Sequence, residues 1–291
     1  MDYGLCLPNF RDGASREGME AGAETAERLG WSTVWTTDHV MVPTSAADDY
    51  GTNFDAIEVL VWIGARFSKV RLGTSVIVVP QRNAVVLAKE LATLDALSGG
   101  RLVAGVGGGW NEEEFANLGV ESQFRVRGAY LDETIDLWRH LWSGSTDPFH
   151  GRFHDFDDFV FAPLPAQRGN VPIVVGGRAE PALRRAGAKG DWYHSSATSA
   201  AKYAQRVPII RAAAEAAGRP MPRLTARAWT EFGKATSDHY AIRGSVEEMA
   251  TEIRAFAEAG VDHLAVWFDA TDLTELVGLM ERFDREVAPL V

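Results

Sequence analysis

The segment from Arg71 to Trp110 limits the possible folds more than any other part of the chain. Leu72 to Val79 is an apolar, β-branched run of the kind found in strands that are covered on both faces. Ala84 to Leu97 places apolar residues at helical spacing, and Leu102 to Val106 has the pattern of a second buried strand. A strand, a helix and a strand in direct succession predict a parallel βαβ unit.

The same alternation continues along the whole chain. The eight predicted strands lie at Tyr3–Leu7, Thr33–Thr37, Leu72–Val79, Leu102–Val106, Val171–Val175, Asp191–His194, Arg223–Thr230 and Val261–Phe268. The predicted helices lie at Arg16–Leu29, Asp55–Phe67, Ala84–Leu97, Arg127–Trp142, Ala200–Ala217, Ser245–Gly260 and Thr271–Val287. One more helix is predicted after Gly176-Gly177-Arg178 and ends at Ala188. This order is what a (β/α)8 TIM barrel requires, so we predict an α/β fold with one barrel domain over residues 1–291.

Three longer segments interrupt the alternation. Val40–Phe54 contains prolyl, glycyl and acidic residues and predicts a long loop. Gly144–Asn170 carries aromatic and acidic residues with several helix breakers, which favours an excursion with a small hairpin. A further loop is expected after the seventh strand, through Tyr240. We expect these segments to form loop insertions at the carboxyl face of the barrel.

The composition narrows the class of function. A chain of 291 residues with 46% hydrophobic residues can bury a full barrel core. The net charge of -11 argues against nucleic acid or an anionic membrane as a partner, because both attract basic surfaces. The single cysteine, Cys6, excludes an intrachain disulfide framework. No apolar stretch approaches the roughly 20 residues of a membrane helix, so a cytoplasmic protein is expected.

In a barrel, chemistry collects where the strands end at the carboxyl face. That rule selects Asp38 and His39, Thr74 to Val76, Gly107 to Trp110, Gly176 to Ala179, His194 to Ser196, Trp229 to Gly233, and Trp267. These positions are rich in glycine, small hydroxyls and aromatic rings, and they lack the histidine spacing of a metal site or the Gly-x-Ser-x-Gly motif of a hydrolase. The residues therefore favour a bound organic cofactor and no metal.

The segment LGTSVIVVPQRNAVVLAKELATLDALSGGRLVAGVGGGWNEEEF resembles the bacterial luciferase-like family of barrel oxidoreductases. The Asp38-His39 step, the segment from Pro172 to Ala179 and the helix start at Gly244-Ser245 fit the same family, so the resemblance covers essentially the whole chain. Within the family the chain is similar to the branch that uses coenzyme F420, a deazaflavin that carries hydride. Relatives that use flavin mononucleotide (FMN) share the fold, and FMN is the alternative cofactor.

The resemblance implies a role for each strand end. Thr74, Ser75 and Val76 would lie against the cofactor ring, with a non-prolyl cis peptide between Ser75 and Val76. Asp38 and His39 would lie beside the deazaflavin head, where His39 would be catalytic and exchange a proton. Gly107, Gly108 and Gly109 would line the cofactor channel. Gly176, Gly177, Arg178 and Ala179 would offer backbone amides at a helix start to the cofactor phosphate. Without the resemblance, the favoured interpretation is that Asp38 caps a turn and that His39 is a core histidine.

The chain departs from the family pattern at one position that bears on the substrate. In the sugar-phosphate dehydrogenases of the F420 branch a catalytic glutamate follows the glycine turn, whereas this chain has Trp110. The change favours an apolar or aromatic substrate over the ring. His194 and Trp229 are further candidates for the substrate pocket, with core packing as the alternative. Glu112 to Glu114 lie close to Trp110, and we favour acidic partners of a helix dipole over a catalytic acid for them.

The leading hypothesis is an F420-dependent oxidoreductase that transfers hydride between the deazaflavin and a small organic substrate. The alternatives are an FMN-dependent luciferase-like monooxygenase and a non-catalytic barrel that only binds a cofactor or ligand. The family resemblance also implies a homodimer that packs through early helices, at Asp55–Phe67 and Ala84–Leu97.

Overall fold

The computed structural model describes residues 1–11, 13–233 and 240–291. Its parallel strands close into an eight-stranded barrel, which confirms the predicted fold class. The barrel strands are β1 (Asp2–Cys6), β2 (Thr33–Thr36), β3 (Arg71–Thr74), β5 (Leu102–Gly107), β8 (Ile173–Gly176), β9 (Trp192–Ser196), β10 (Arg223–Phe232) and β12 (Val261–Trp267). Strand β12 pairs with both β1 and β10, and β10 also pairs with β9, so the described sheet has no open edge in the barrel.

The third predicted strand, Leu72–Val79, is divided in the structure. After β3 the Ser75–Val76 peptide is cis, and the short strand β4 (Ile77–Val78) then pairs with β5. The non-prolyl cis peptide that the family resemblance implied is therefore present. This division turns the chain at the carboxyl edge of the barrel and brings Ser75 and Val76 to the floor of a cleft.

The helices surround the barrel. They are α1 (Arg16–Leu29), α2 (Ala47–Tyr50), α3 (Ala56–Arg66), α4 (Ala84–Ser98), α5 (Glu112–Asn117), α6 (Glu121–Trp142), α7 (Glu180–Lys189), α8 (Ala200–Ala204), α9 (Val207–Ala216), α10 (Val246–Glu258) and α11 (Leu273–Arg282). Side chains of Ser15, Asp55, Asn83 and Ser245 accept hydrogen bonds from free amides at the starts of α1, α3, α4 and α10. No described helix is long and apolar enough to cross a membrane.

Several elements differ from the prediction. The expected helix Ala200–Ala217 is two helices, α8 and α9, and Pro208 lies in the first turn of α9, where proline is tolerated. The expected long loop at Val40–Phe54 contains the short helix α2. The excursion after α6 contains the expected hairpin, formed by β6 (Phe149–His150) and β7 (Asp155–Phe156). An unpredicted strand, β11 (Ala241–Gly244), extends the sheet beside β10. Residues 234–239 of the predicted loop through Tyr240 lie outside the described residues.

The barrel interior is filled rather than hollow. The indole of Trp35 is fully buried, and a Cβ on Gly73 would lie only 2.4 Å from its ring, so glycine is required there. Trp35 Nε1 donates to His263 Nε2 at 3.1 Å, and His263 Nδ1 lies 2.9 Å from Asp2 Oδ2. Cys6 is buried in the same layer, as predicted for a small core residue, and burial raises the pKa of its thiol to about 11. The open space accordingly lies above this layer, at the carboxyl ends of the strands.

Candidate functional site

A cleft of about 700 Å³ opens at the carboxyl ends of the barrel strands. The structure brings together in its lining most of the residues that the sequence analysis selected, namely Asp38, His39, Ser75, Val76, Gly107, Gly108, Gly109, Trp110, Gly176, Gly177, Arg178 and Ala179. They come from the ends of β2, β3, β5 and β8, which are neighbours in the barrel. The position agrees with the general location of TIM-barrel active sites.

Three predicted site residues do not line the cleft. Thr74 is buried, and its hydroxyl donates to the Gly105 carbonyl oxygen at 2.7 Å, so it fixes β3 to β5. His194 lies inside the barrel, where its ring stacks on Trp35 at 5.0 Å. Trp229 packs against Trp267, with the ring centres 3.9 Å apart. The structure therefore places His194 and Trp229 among packed side chains instead of the substrate pocket.

His39 and Glu114 form a buried pair at one wall of the cleft. The side chains are 7% and 1% exposed, and His39 Nδ1 lies 3.0 Å from Glu114 Oε2. Burial raises the pKa of the Glu114 carboxyl, but hydrogen bonds from His39 and from the Val40 amide outweigh it and hold the pKa below its ordinary value. Because the carboxylate is ionised, Nδ1 of His39 carries a proton and donates it to the hydrogen bond. Nε2 has no partner among the described residues, so it is the nitrogen available to a ligand in the cleft.

Glu114 is the residue whose role the sequence analysis missed. Glu112 and Glu113 are exposed in the first turn of α5, as expected for dipole partners, but Glu114 turns inward to His39. The Asn111 side chain caps α5 by accepting from the Glu114 amide at 3.3 Å. The acidic run gave no signal that separates its third member from the first two, because the contact spans 75 residues of sequence.

Asp38 is held in place by two groups. Its Oδ1 accepts from Arg82 Nη2 at 2.6 Å and its Oδ2 accepts from the Val78 amide at 2.9 Å. Arg82 also pairs with Asp55 at 2.8 Å. The carboxylate side chain of Asp38 is fully buried, so these contacts compensate its charge and fix the strand end beside His39.

The floor of the cleft is built around Val76. A Cβ on Gly107 would lie 2.6 Å from Val76 Cγ2, and a Cβ on Gly176 would lie 2.7 Å from Val76 Cγ1. These two glycines are therefore needed for internal packing. Gly108 differs, because its Cβ would meet only the Arg127 side chain, at an ordinary 3.7 Å. The bare backbone at Gly108 thus borders the open space of the cleft.

The hydrogen-bond direction at Ser75 follows from its neighbours. Thr225 Oγ1 donates its hydrogen to the Tyr193 carbonyl oxygen, so it accepts from His194 Nδ1 at 2.8 Å. Burial, followed by the nearby His263 and Arg227, lowers the pKa of His194 to about 3, so the ring is neutral and Nε2 carries no proton. Ser75 Oγ therefore donates to His194 Nε2 at 3.0 Å and presents lone pairs to the cleft.

One end of the cleft is strongly cationic. Arg125, Arg127 and Arg178 line it together with Arg185, which pairs with Asp132 at 2.7 Å. Helix α7 begins at the same end, where the amides of Arg178, Ala179 and Glu180 have no partner among the described residues; Pro181 carries no N–H, and the Ala182 amide donates to the Ala179 carbonyl oxygen at 2.9 Å. Free amides and arginines at a helix start form a site for an anion such as a phosphate. The feature is local, because the chain as a whole carries a net charge of -11.

Aromatic rings cover the opposite side, next to His39. The ring of Tyr50, on α2, lies 4.1 Å from His39, and that of Trp110 lies 6.1 Å from it. Trp110 is 61% exposed at the rim. Tyr50 was not predicted, since it lies in the segment expected to be an unstructured loop. Within the described part of the chain, histidine, cysteine and acidic side chains form no cluster that could hold a metal ion.

Comparison with known proteins agrees with this geometry. A family model described as luciferase-like monooxygenase matches residues 1–232. An F420-dependent glucose-6-phosphate dehydrogenase of Kineococcus radiotolerans is 34% identical over 200 residues, which are 68% of this chain and 58% of the dehydrogenase. An FMNH2-dependent dimethylsulfone monooxygenase of Pseudomonas putida is 35% identical over 134 residues, which are 45% of this chain and 36% of that enzyme. The chain spans 63% of the length of similar uncharacterised mycobacterial proteins.

Solved structures share the whole fold. An F420-dependent secondary alcohol dehydrogenase, in complex with an F420-acetone adduct, superposes with a TM-score of 0.82 over 100% of this chain and 98% of that one, at 21% identity. Such a low identity supports the barrel fold alone, whereas the family model matches the sequence over most of its length. The chain belongs to the luciferase-like monooxygenase family of oxidoreductases.

Proposed function

We propose that this protein is a coenzyme F420-dependent oxidoreductase that acts on a small organic substrate, with residues 1–291 as one catalytic barrel domain. The observation that carries the proposal is the buried His39–Glu114 pair, which faces the same cleft as the cationic end at helix α7. Hydride transfer to or from a polar bond needs a matching proton, and a positioned histidine supplies or accepts it.

The residues present fit an anionic, planar cofactor. The arginines and the amides of Arg178, Ala179 and Glu180 at the start of α7 suit its phosphate, and the backbone at Gly108 leaves room for its body. Val76 would support one face of the ring, with Gly177, Arg178 and Ala179 beside the phosphate. The Kineococcus relative supports F420 over FMN, since the similarity extends over 68% of this chain against 45% for the FMNH2-dependent relative.

The chemistry divides between cofactor and protein. When bound, the deazaflavin gives or takes the hydride. The protein holds the proton: Glu114 keeps Nδ1 of His39 protonated, so that Nε2 is the atom that exchanges a proton with the substrate. Trp110 and Tyr50 lie beside this place and favour a substrate with an apolar or aromatic face.

A second candidate is an FMN-dependent monooxygenase, which the similarity to the dimethylsulfone monooxygenase favours. One experiment separates the two. The purified protein is supplied with reduced F420 and a panel of ketones, aldehydes and enones, and separately with reduced FMN and the same panel while oxygen uptake is recorded. The proposal predicts substrate-dependent oxidation of reduced F420 that His39→Ala abolishes. Substrate-dependent oxygen uptake with FMN alone would contradict it.

We also propose that the protein is a homodimer through α3 and α4. Exposed apolar side chains on these helices support the proposal: Val61 on α3 is 37% exposed, and Val86 and Leu97 on α4 are 53% and 76% exposed. Light scattering of the wild type and of a Val86→Glu, Leu97→Glu variant tests it. A monomeric wild type would contradict it.

A further inference from the structure

Arg227 is a buried cation on the floor of the cleft. It lies on β10, lines the cleft and is only 9% exposed. Its Nη1 donates to the Ser75 carbonyl oxygen at 3.1 Å, and its guanidinium lies 5.3 Å from the centre of the Phe10 ring. No carboxylate among the residues that the structure describes pairs with it. Since arginine keeps its charge when buried, the site lacks the anion that normally accompanies such a group.

This cation is separate from the cationic end of the cleft. In the barrel, β9 lies between β10 and β8, the strand that leads into α7. Arg227 instead reaches across the mouth of the barrel to the end of β3. The phosphate expected at α7 therefore does not account for Arg227, and the guanidinium is available to a second anionic group in the cleft.

The surroundings of Arg227 define the shape of that group. Its guanidinium presents a planar fork of N–H donors, which matches a carboxylate. Phe10 lies under the guanidinium and stacks on Tyr50, with 5.9 Å between ring centres, and Tyr50 in turn contacts His39. A flat molecule with a carboxylate at one end fits this arrangement.

We propose that Arg227 binds the carboxylate of the substrate, so that the site takes planar carboxylic acids. The inference rests on the proposed function only in treating the ligand as the substrate of a redox reaction. A carbonyl edge of the cofactor ring offers related hydrogen-bonding chemistry to an arginine. The experiment is therefore arranged to separate a substrate carboxylate from the cofactor.

The probes are benzoate and benzamide, which have the same shape and differ in charge. Their dissociation constants are measured by ligand-observed NMR in phosphate buffer, so that phosphate occupies the arginines beside α7. A charged hydrogen-bonded pair corresponds to a preference of about tenfold for benzoate. We expect this preference in the wild type and in Arg211→Gln, which removes an exposed arginine from α9. We expect it to disappear in Arg227→Gln.

F420 affinity of the same variants is measured by fluorescence. The inference requires F420 binding by Arg227→Gln to stay within about threefold of the wild type. An unchanged preference for benzoate in Arg227→Gln, or a loss of F420 affinity without loss of that preference, would overturn it. If the glutamine variant does not fold, Arg227→Met, which removes the charge and keeps a long side chain, replaces it, and a preference equal to the wild type would overturn the inference. A wild type that prefers benzoate but binds no F420 would contradict the proposed function and leave the role of Arg227 intact.

Discussion

Nδ1 of His39 lies 3.0 Å from Oε2 of Glu114, and the other oxygen of the same carboxylate accepts from the Val40 amide at 2.8 Å. One buried carboxylate thus fixes both the tautomer of the histidine and the backbone that follows it. The pair joins the loop after β2 to helix α5. In the proposed function Glu114 is a positioning residue, and His39 is the group that would meet the substrate.

Removal of either member of the pair is expected to slow turnover by different amounts. His39→Ala should lower kcat about 100-fold, the scale of general acid–base catalysis. Glu114→Gln retains an acceptor for Nδ1 but loses the charge, so kcat should fall about tenfold while the dissociation constant of F420 stays nearly unchanged. Stopped-flow kinetics with reduced F420 measures both. The control is Glu113→Gln, an exposed neighbour on α5 that should behave as wild type. Equal rates for Glu113→Gln and Glu114→Gln would refute the role of Glu114.

Loss of the Arg82 side chain is expected to lower the stability of the fold strongly. Arg82→Met leaves the fully buried Asp38 carboxylate without its charge partner and should lower the free energy of unfolding by about 3 kcal/mol or more. Urea unfolding measures the change. The matched control is Arg66→Met, which breaks a surface pair with Glu20 at 2.7 Å and should cost less than about 1 kcal/mol. Adding Asp38→Asn to Arg82→Met should recover part of the loss, and an additive loss would count against the ion pair.

Substitution of the adjacent glycines Gly107 and Gly108 is expected to have different effects on stability and on F420 binding. Gly107→Ala should lower the free energy of unfolding by about 1–3 kcal/mol, because its Cβ would overlap Val76. Gly108→Leu should change it by less than about 0.5 kcal/mol, since its Cβ meets no crowded neighbour. The leucine should nevertheless weaken F420 binding, because the side chain would project into the cleft. Thermal unfolding and fluorescence titration of the two variants test this pair, and normal F420 binding by Gly108→Leu would show that the cofactor lies elsewhere.

The lowered pKa of His194 predicts how the stability of the fold depends on pH. Its pKa is lowered by burial to about 3 in the folded protein, against 6.5 as the ordinary value. Between these values the unfolded chain binds the proton and the folded protein does not, so stability is full above pH 6.5 and is lost as the pH falls toward 3. The slope from one such group approaches about 1.4 kcal/mol per pH unit. His194→Gln should flatten the dependence by about this amount between pH 6 and 4, as measured by urea unfolding. A variant with the wild-type slope would contradict a neutral, buried His194.

The periodic part of the molecule could be predicted from the sequence. Helix α1, Arg16–Leu29, has the predicted bounds, because Ser15 and Gly30 are local cap signals. Strand β5 was expected to end in a glycine run at the cleft, and it does. These features depend on neighbours in sequence, so propensity, capping and hydrophobic period suffice for them.

The contacts that complete the site could not be predicted in the same way. Glu114 and Arg227 look like ordinary members of a helix and a strand, and only the closed barrel brings them to His39 and Ser75. His194 shows the converse, because its place at a strand end left a pocket residue and a core residue equally open. Its partners, Thr225 and Ser75, lie 31 and 119 residues away in sequence and satisfy it inside the barrel.

F420 binding in the cleft is the step on which the proposed function depends. We would titrate the purified protein with F420 and, separately, with FMN, following fluorescence, with a Gly108→Trp variant as the blocked control. We expect saturable F420 binding that is tighter than FMN binding, weakens as salt screens the arginines, and is lost in Gly108→Trp. Tight binding of FMN without binding of F420 would contradict the proposed function.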